Sequence, residues 1–276
     1  MTEPITGDRS WAVAVRLRPG RLTFAGRLGS AHTHSHAAVQ LLVAVSGDVV
    51  LTDAGGHARP VRAAVIPAGA AHTIQADDAC GVMVYLDPAG RQARALTARL
   101  EQATAHPPAA DDDPGSRVAV WQAAAGPAVP VITDTADDLL ADPGAGIAAA
   151  DRAVGTLAGL ADPAAPPEGG PLHTALAALP ELIAAGAPVR LETVAARAGL
   201  SASRLRHVFT QQLGLPFTTC VRWARLQAAM ATVRGGGTLT AAAHAAGFAD
   251  SAHLTRVFHA MFGLAPSTAA RHLHWH

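Results

Sequence analysis

Lysine is missing from all 276 residues, and cysteine occurs only twice, at Cys80 and Cys220. Two thiols cannot supply a disulfide framework, so the fold must rest on apolar burial and suits a reducing compartment. No apolar run approaches the roughly 20 residues of a membrane span. Residues 1–10 are polar and carry acids, so no signal peptide is expected there. A soluble, cytoplasmic chain with no membrane partner is therefore expected. Net charge is also absent, with 21 arginines against 21 acids. The lack of lysine beside abundant alanine reads as a coding bias, since the two cations exchange freely on surfaces though not at forked contacts.

The neutral total hides a division. Residues 172–276 hold nine arginines and three acids, whereas residues 1–171 hold twelve arginines and eighteen acids. A basic half tethered to an acidic one implies that only the former faces phosphate. The length allows two modest domains with separate cores.

The basic half repeats itself. Gly199, Leu205, Phe209 and Gly214 recur as Gly247, Leu254, Phe258 and Gly263, 49 residues apart after a turn one residue longer. Each copy reads as a short Ala-rich helix, a glycine turn, a polar cap (Ser201, Asp250) and a second helix. Leu205, Val208 and Phe209, and likewise Leu254, Val257 and Phe258, form inward stripes at i, i+3, i+4. The opposite faces carry Ser203, Arg206, His207 and Thr210, then Ala252, Thr255, Arg256 and His259 with Ser251 at the edge. Such a face is either ordinary solvated surface or a major-groove reader, in which arginine forks onto guanine and Thr or Ala meets a thymine methyl. Duplication favours the reader, with two helices presented one DNA turn apart by the segment 217–233.

With Ala195, Arg225, Ala229 and Pro266 also at matching spacing, residues 172–271 resemble the AraC/XylS family of transcription regulators. The resemblance implies a C-terminal all-α domain with tandem helix-turn-helix units, base-facing roles for Ser203, Arg206, His207, Ser251, Ala252 and Arg256, with Thr255 beside them, and duplex promoter DNA as partner. RNA polymerase joins the partners if the protein activates. Arg190, Ala242 and Ala270 depart from the family pattern; the first weakens a helix start and the second thins the core. Arg271 stands one place after the third.

The acidic half alternates instead. Trp11, Val13, Val15 and Leu17 share one side of a strand, and short strands follow at 22–28, 38–45, 48–52, 62–66 and 81–86. Turns at Ser46, Gly47 and Asp48 and at Gly55 and Gly56 separate them, as in a small barrel or jelly roll. Two motifs, His34, His36, Gln40 and Gly47, then Pro67, Gly69 and His72, resemble the signature stretches of the cupin family. That resemblance implies a β-barrel in which His34, His36, Gln40 and His72 converge on one divalent ion. His34 and His36, at i, i+2, would project from one strand face, with His72 arriving from the opposing sheet. Three imidazoles and an amide suit zinc, copper or nickel. Gln40 replaces the family's glutamate and is a weaker ligand, so an organic effector held by the same residues stays open. His32 and His57 fall in positions expected to face water.

The expected architecture is thus α+β and two-domain: barrel at 1–88, helical and dimerising region at 89–161, linker at 162–171 and DNA-binding domain at 172–276. Stripes Ala93/Leu96/Leu100 and Ile147/Val154/Leu157 mark two helices, and the resemblance implies a homodimer through such helices. The tail His272, His274 and His276 is expected to be unstructured. The function expected is a one-component regulator, a barrel-bound small molecule or metal controlling promoter binding. A constitutive DNA binder with a purely dimerising barrel, and a metal-dependent cupin enzyme, are the alternatives. No acid or base is identifiable, so no catalytic residue is assigned and an enzyme is not expected.

Overall fold

The computed structural model describes residues 12–107, 115–126, 132, 135–159, 169–267 and 273–275. Most of the expected linker, and His272 and His276, lie outside them.

The acidic half opens with β1 (Ala12–Arg18), β2 (Arg21–Arg27), β3 (Ala31–His34) and β4 (Val39–Asp53), then β5 (Ala58–Pro60), β6 (Ala63–Ile66) and β7 (His72–Leu86). Hydrogen bonding orders them β5-β4-β7-β2-β1, with β3 added to β7 and β6 to β4. The two 15-residue strands β4 and β7 run antiparallel along their whole length. Each changes its outer partner part-way: β7 meets β3 at His72–Ile74 and β2 at Cys80–Leu86. The sheet therefore curls into a cupin-like barrel.

The bend falls at Gly47, where the sequence suggests a turn between two strands. The strand continues, with register shifts between Ala44 and Asp48. Gly47 has φ +70°, and a Cβ there would lie 2.4 Å from the Asp78 carbonyl oxygen. A bulge and a turn both call for glycine in the left-handed region, so their local signatures coincide.

Helices α1 (Arg91–Ala105), α2 (Arg117–Ala125), α3 (Ala136–Ala141) and α4 (Pro143–Gly159) cover the outside. α4 lies on β1, β2 and β7 and against α1. Strand β6, covered by α2, is buried at every residue, so its sequence does not alternate. The stripe residues Ile147, Val154 and Leu157 are fully buried, as are Ala93 and Leu96, with Leu100 at 6% exposure. Both stripes are spent within the chain, which removes them as a dimer contact: a curled sheet needs its outer apolar face covered, and these helices cover it.

The basic half is all helical: α5 (Pro171–Ala184), α6 (Leu191–Arg197), α7 (Ala202–Leu213), α8 (Phe217–Arg234), α9 (Leu239–Ala245) and α10 (Ser251–Phe262). It packs directly on the barrel. Asp87 Oδ1 accepts bonds from Trp223 Nε1 at 2.5 Å and Gln227 Nε2 at 2.9 Å, and Arg234 donates to the Leu17 carbonyl at 2.8 Å. The tail is not unstructured as expected: β8 (Leu273–Trp275) pairs in parallel with β1, extending the sheet. An unpaired edge strand offers backbone partners that three tail residues can take regardless of composition. Among the described residues no helix is long and apolar enough to cross a membrane.

Burial raises the Asp87 carboxyl above the usual carboxylate range, partly offset by the bonds from Trp223 and Gln227. Asp87→Ala strands both donors at the domain interface and is expected to cost about 1–3 kcal/mol, read as a lower urea midpoint at unchanged α-helical content.

Candidate functional site

Two sets of residues stand out, one in each half. In the basic half each unit is built as its sequence dictates. Gly199 and Gly247 make the turns at φ +67° and +74°. The Ser201 side chain accepts from the Arg204 N–H at 3.2 Å, and Asp250 accepts from the His253 N–H at 2.6 Å, so α7 and α10 start capped. α6 starts at Arg190 with no side-chain cap, and Ala242 is fully buried. Leu205, Val208, Phe209, Leu254, Val257 and Phe258 turn inward. The faces left outward carry Ser203, Arg206 and His207 on α7, exposed, and Ala252 and Arg256 on α10, exposed, with Ser251 and Thr255 half-buried. The Thr255 hydroxyl donates to the Ser251 carbonyl at 2.8 Å. Its polar group is thus committed to the helix, and its methyl group is what remains for a partner.

In the barrel, His34, His36, Gln40 and His72 come together, all at 4% exposure or less. Potential ligand atoms of the three histidines lie within 4.8 Å of one another. The route differs from the sequence expectation. His34 ends β3 and pairs directly across from His72 on β7, so the two sit on neighbouring strands rather than opposing sheets. His36 lies beyond β3 in the loop to β4 and still turns its ring inward, 5.3 Å from that of His72.

Each Nδ1 faces a backbone carbonyl: His34 that of His32 at 2.7 Å, His36 that of Ala38 at 2.9 Å, His72 that of Ala70 at 3.0 Å. A carbonyl only accepts, so each Nδ1 carries the proton and each Nε2 is a bare lone pair. Among the described residues Nε2 of His34 and of His72 has no hydrogen-bond partner, and that of His36 faces Gln40 Oε1 at 2.9 Å. A cation satisfies this convergence of acceptors. Without one, turning the Gln40 amide over gives His36 a donor and directs the amide oxygen to the Tyr85 hydroxyl, now 3.3 Å from Nε2. Burial holds His34 down to about 4, helped by His36, and holds His36 and His72 below the ordinary imidazole range. Neutral imidazoles with Nδ1 anchored to carbonyls are the form that binds zinc-like ions. The donor set fits such an ion.

Comparison with known proteins bears first on the basic half. A helix-turn-helix domain family model matches residues 194–272. The chain carries an AraC-type helix-turn-helix domain. Over the whole fold, the crystal structure of ToxT from Vibrio cholerae O395 is similar at TM-score 0.53 and 11% identity, covering 92% of this chain and 98% of that one. Its P21 form gives 0.50 at 12% identity, covering 92% and 99%. Unsaturated fatty acid bound ToxT from strain SCE256 gives 0.50 at 10% identity, covering 94% and 93%. At such identity the likeness speaks for the two-domain fold alone. No curated protein matches the chain.

Sequence reasoning missed several residues that touch the triad. Tyr85 lies 4.9 Å, ring to ring, from His36, and Trp121 of α2 lies 6.2 Å from His72. Both belong to apolar stretches where an aromatic reads as core. His32, though exposed as expected, lies on β3 and stacks on His259 of the AraC-type domain, with ring centroids 6.2 Å apart. His57 is half-buried rather than wet, its Nδ1 3.2 Å from the Asp53 carboxylate, which also accepts the Arg117 N–H. No spacing rule announces a contact between halves.

The depressed imidazoles give an acid limit to stability. Unfolded histidine binds a proton near pH 6.5 and folded His34 only near 4, so stability is complete above about 6.5 and falls as pH drops toward 4. His34 alone contributes roughly 3 kcal/mol over that window. Metal-stripped protein is expected to show a falling urea midpoint from about pH 7 to 5, flattened in His34→Gln.

Proposed function

We propose that this chain is a one-component transcription regulator: occupancy of the barrel site controls promoter binding by the AraC-type domain. The observation that carries the reading is the pairing, in one chain, of two capped helix-turn-helix units with outward arginines and a buried cluster of unpartnered imidazole lone pairs. The excess of arginine over acids in residues 172–276 supplies the phosphate attraction, and the cytoplasm is the compartment such a regulator requires.

In this reading Arg206 and Arg256 contact bases. Ser203, His207, Ser251, Ala252 and Thr255 complete the two reading faces. His34, His36 and His72, with Gln40 as a weaker fourth donor, would hold zinc, copper or nickel. Bound there, the ion supplies a cross-link between β3, the loop to β4 and β7. An organic effector is the second reading, favoured by the apolar cavity of about 110 Å³ between the halves, lined by Phe24, Met83, Tyr85, Met230 and Phe258 among others. The ToxT structure with a bound unsaturated fatty acid supports small-molecule binding as a role open to this two-domain fold. Against a cupin enzyme stands the lack of a carboxylate at the triad among the described residues, and burial pushes the Tyr85 hydroxyl up. A homodimer would have to use surfaces other than the two buried stripes.

Binding selections from random duplexes test the readout. Arg206→Ala and Arg256→Ala are each expected to cost about 1–3 kcal/mol and relax preference at one or two positions; unchanged sequence preferences would remove these roles.

Metal content tests the sensor. Protein purified without chelator is expected to hold up to one equivalent of transition metal and His34→Ala/His72→Ala none, with promoter response lost in the variant. Negligible metal in both, with the promoter response still lost in the variant, would leave the organic effector.

A further inference from the structure

The internal repeat makes Gly214 and Gly263 equivalent residues. Each caps the C-terminus of a reading helix in the left-handed conformation, at φ +66° and +70°, and each N–H bonds four residues back, to Thr210 and His259. Their surroundings differ. A Cβ on Gly214 would meet nothing within 4 Å, whereas one on Gly263 would lie 2.4 Å from the His32 carbonyl oxygen and 2.9 Å from His34 Nδ1. The AraC-type pattern asks for glycine at both positions, but only at the second does a neighbouring domain occupy the space.

That neighbour is β3, the strand that ends in His34. The His32 N–H donates to the Gly263 carbonyl at 3.0 Å, and the Ser35 N–H donates to the Ala260 carbonyl at 3.2 Å. The Ala260 carbonyl in the last turn of α10, which a helix leaves unpaired, and that of its cap Gly263 are thus satisfied by the segment carrying His34 and leading to His36. Those carbonyls form the negative end of the helix dipole. His34 turns Nδ1 toward that end of the helix and would hold a dication through Nε2, so an ion shared with His36 and His72 would fix the strand on which the helix rests.

We propose that a divalent transition-metal ion at His34, His36 and His72 and the seating of α10 on β3 stabilise each other, so that ion loading holds the second reading helix against the barrel. At the C-cap of α7 the barrel is met by the Leu215 side chain beside Gly69, and among the described residues no backbone hydrogen bond joins the two there. The coupling is reciprocal: whatever unseats α10 weakens the ion, and removing the ion loosens α10. It rests on the reading of the triad as an ion site and adds the route by which that site reaches the DNA-binding half.

The repeat supplies the control. Gly263→Ala and Gly214→Ala impose the same backbone strain, but only the first intrudes on β3. Zinc titration of the full chain is expected to show affinity at least about tenfold weaker in Gly263→Ala and within about twofold of wild type in Gly214→Ala. Hydrogen exchange gives a second readout: zinc should slow the His32 and Ser35 amides in wild type and Gly214→Ala but not in Gly263→Ala. Should Gly263→Ala not fold, Gly263→Asn and Gly214→Asn repeat the comparison with a residue that tolerates the left-handed region. Equal zinc affinity in the two variants, or amide exchange in wild type indifferent to zinc, overturns the coupling while leaving the triad as an ion site. A wild type that takes up neither zinc, copper nor nickel overturns the triad reading and the coupling together.

Discussion

Three backbone carbonyls, those of His32, Ala38 and Ala70, fix one nitrogen of each buried imidazole and thereby decide what the other can do. With Nδ1 occupied as a donor, Nε2 can only accept, and burial keeps the rings neutral. Three acceptors aimed at one another gain nothing from packing, and unsatisfied buried polar atoms are costly. The barrel sustains the arrangement because β7, paired along its whole length with β4, also pairs with β3, which sets His34 directly across from His72. An ion, or the amide hydrogens of Gln40, is what the arrangement is complementary to.

The same strand that presents His34 also meets the other half of the molecule. The acidic and basic halves are joined by a half-buried carboxylate, Asp87, under two neutral donors of α8, by the strand β8 laid beside β1, and by the C-terminal end of α10 on β3. None of these is a large charged patch. Each consists of backbone or half-buried polar groups whose partners lie across the interface, so separation of the halves leaves those groups to water or to each other. The interface is therefore sensitive to small displacements of β3.

The two helix-turn-helix units illustrate how equal sequences acquire unequal roles. Their caps, stripes and turn glycines agree closely, and each unit folds by the same local physics. What distinguishes them is the manner of contact: α10 ends in backbone hydrogen bonds with β3 and the loop after it, whereas past the α7 cap the Leu215 side chain lies beside Gly69 of the barrel. A pattern comparison between the copies reports their similarity and is blind to this asymmetry.

The sequence by itself determined the local elements whose causes are local. The Ser201 and Asp250 caps, the inward stripes of α7 and α10, and the outward Arg206 and Arg256 follow from hydrogen-bonding side chains and helical period within a few residues, whereas the gathering of His34, His36, Gln40 and His72 was implied by the cupin resemblance. Gly47 was ambiguous, since a bulge and a turn ask the same of glycine. The stripes of α1 and α4 were legible as apolar but not as to what they cover, because apolar burial has no direction and a sheet of the same chain serves as well as a second copy. Tertiary structure alone decided that His72 sits beside His34 rather than opposite, that the tail becomes β8, and that Gly263 rests on β3. Those facts depend on which backbone groups are left unpaired once every element has folded, and a linear sequence does not carry that information.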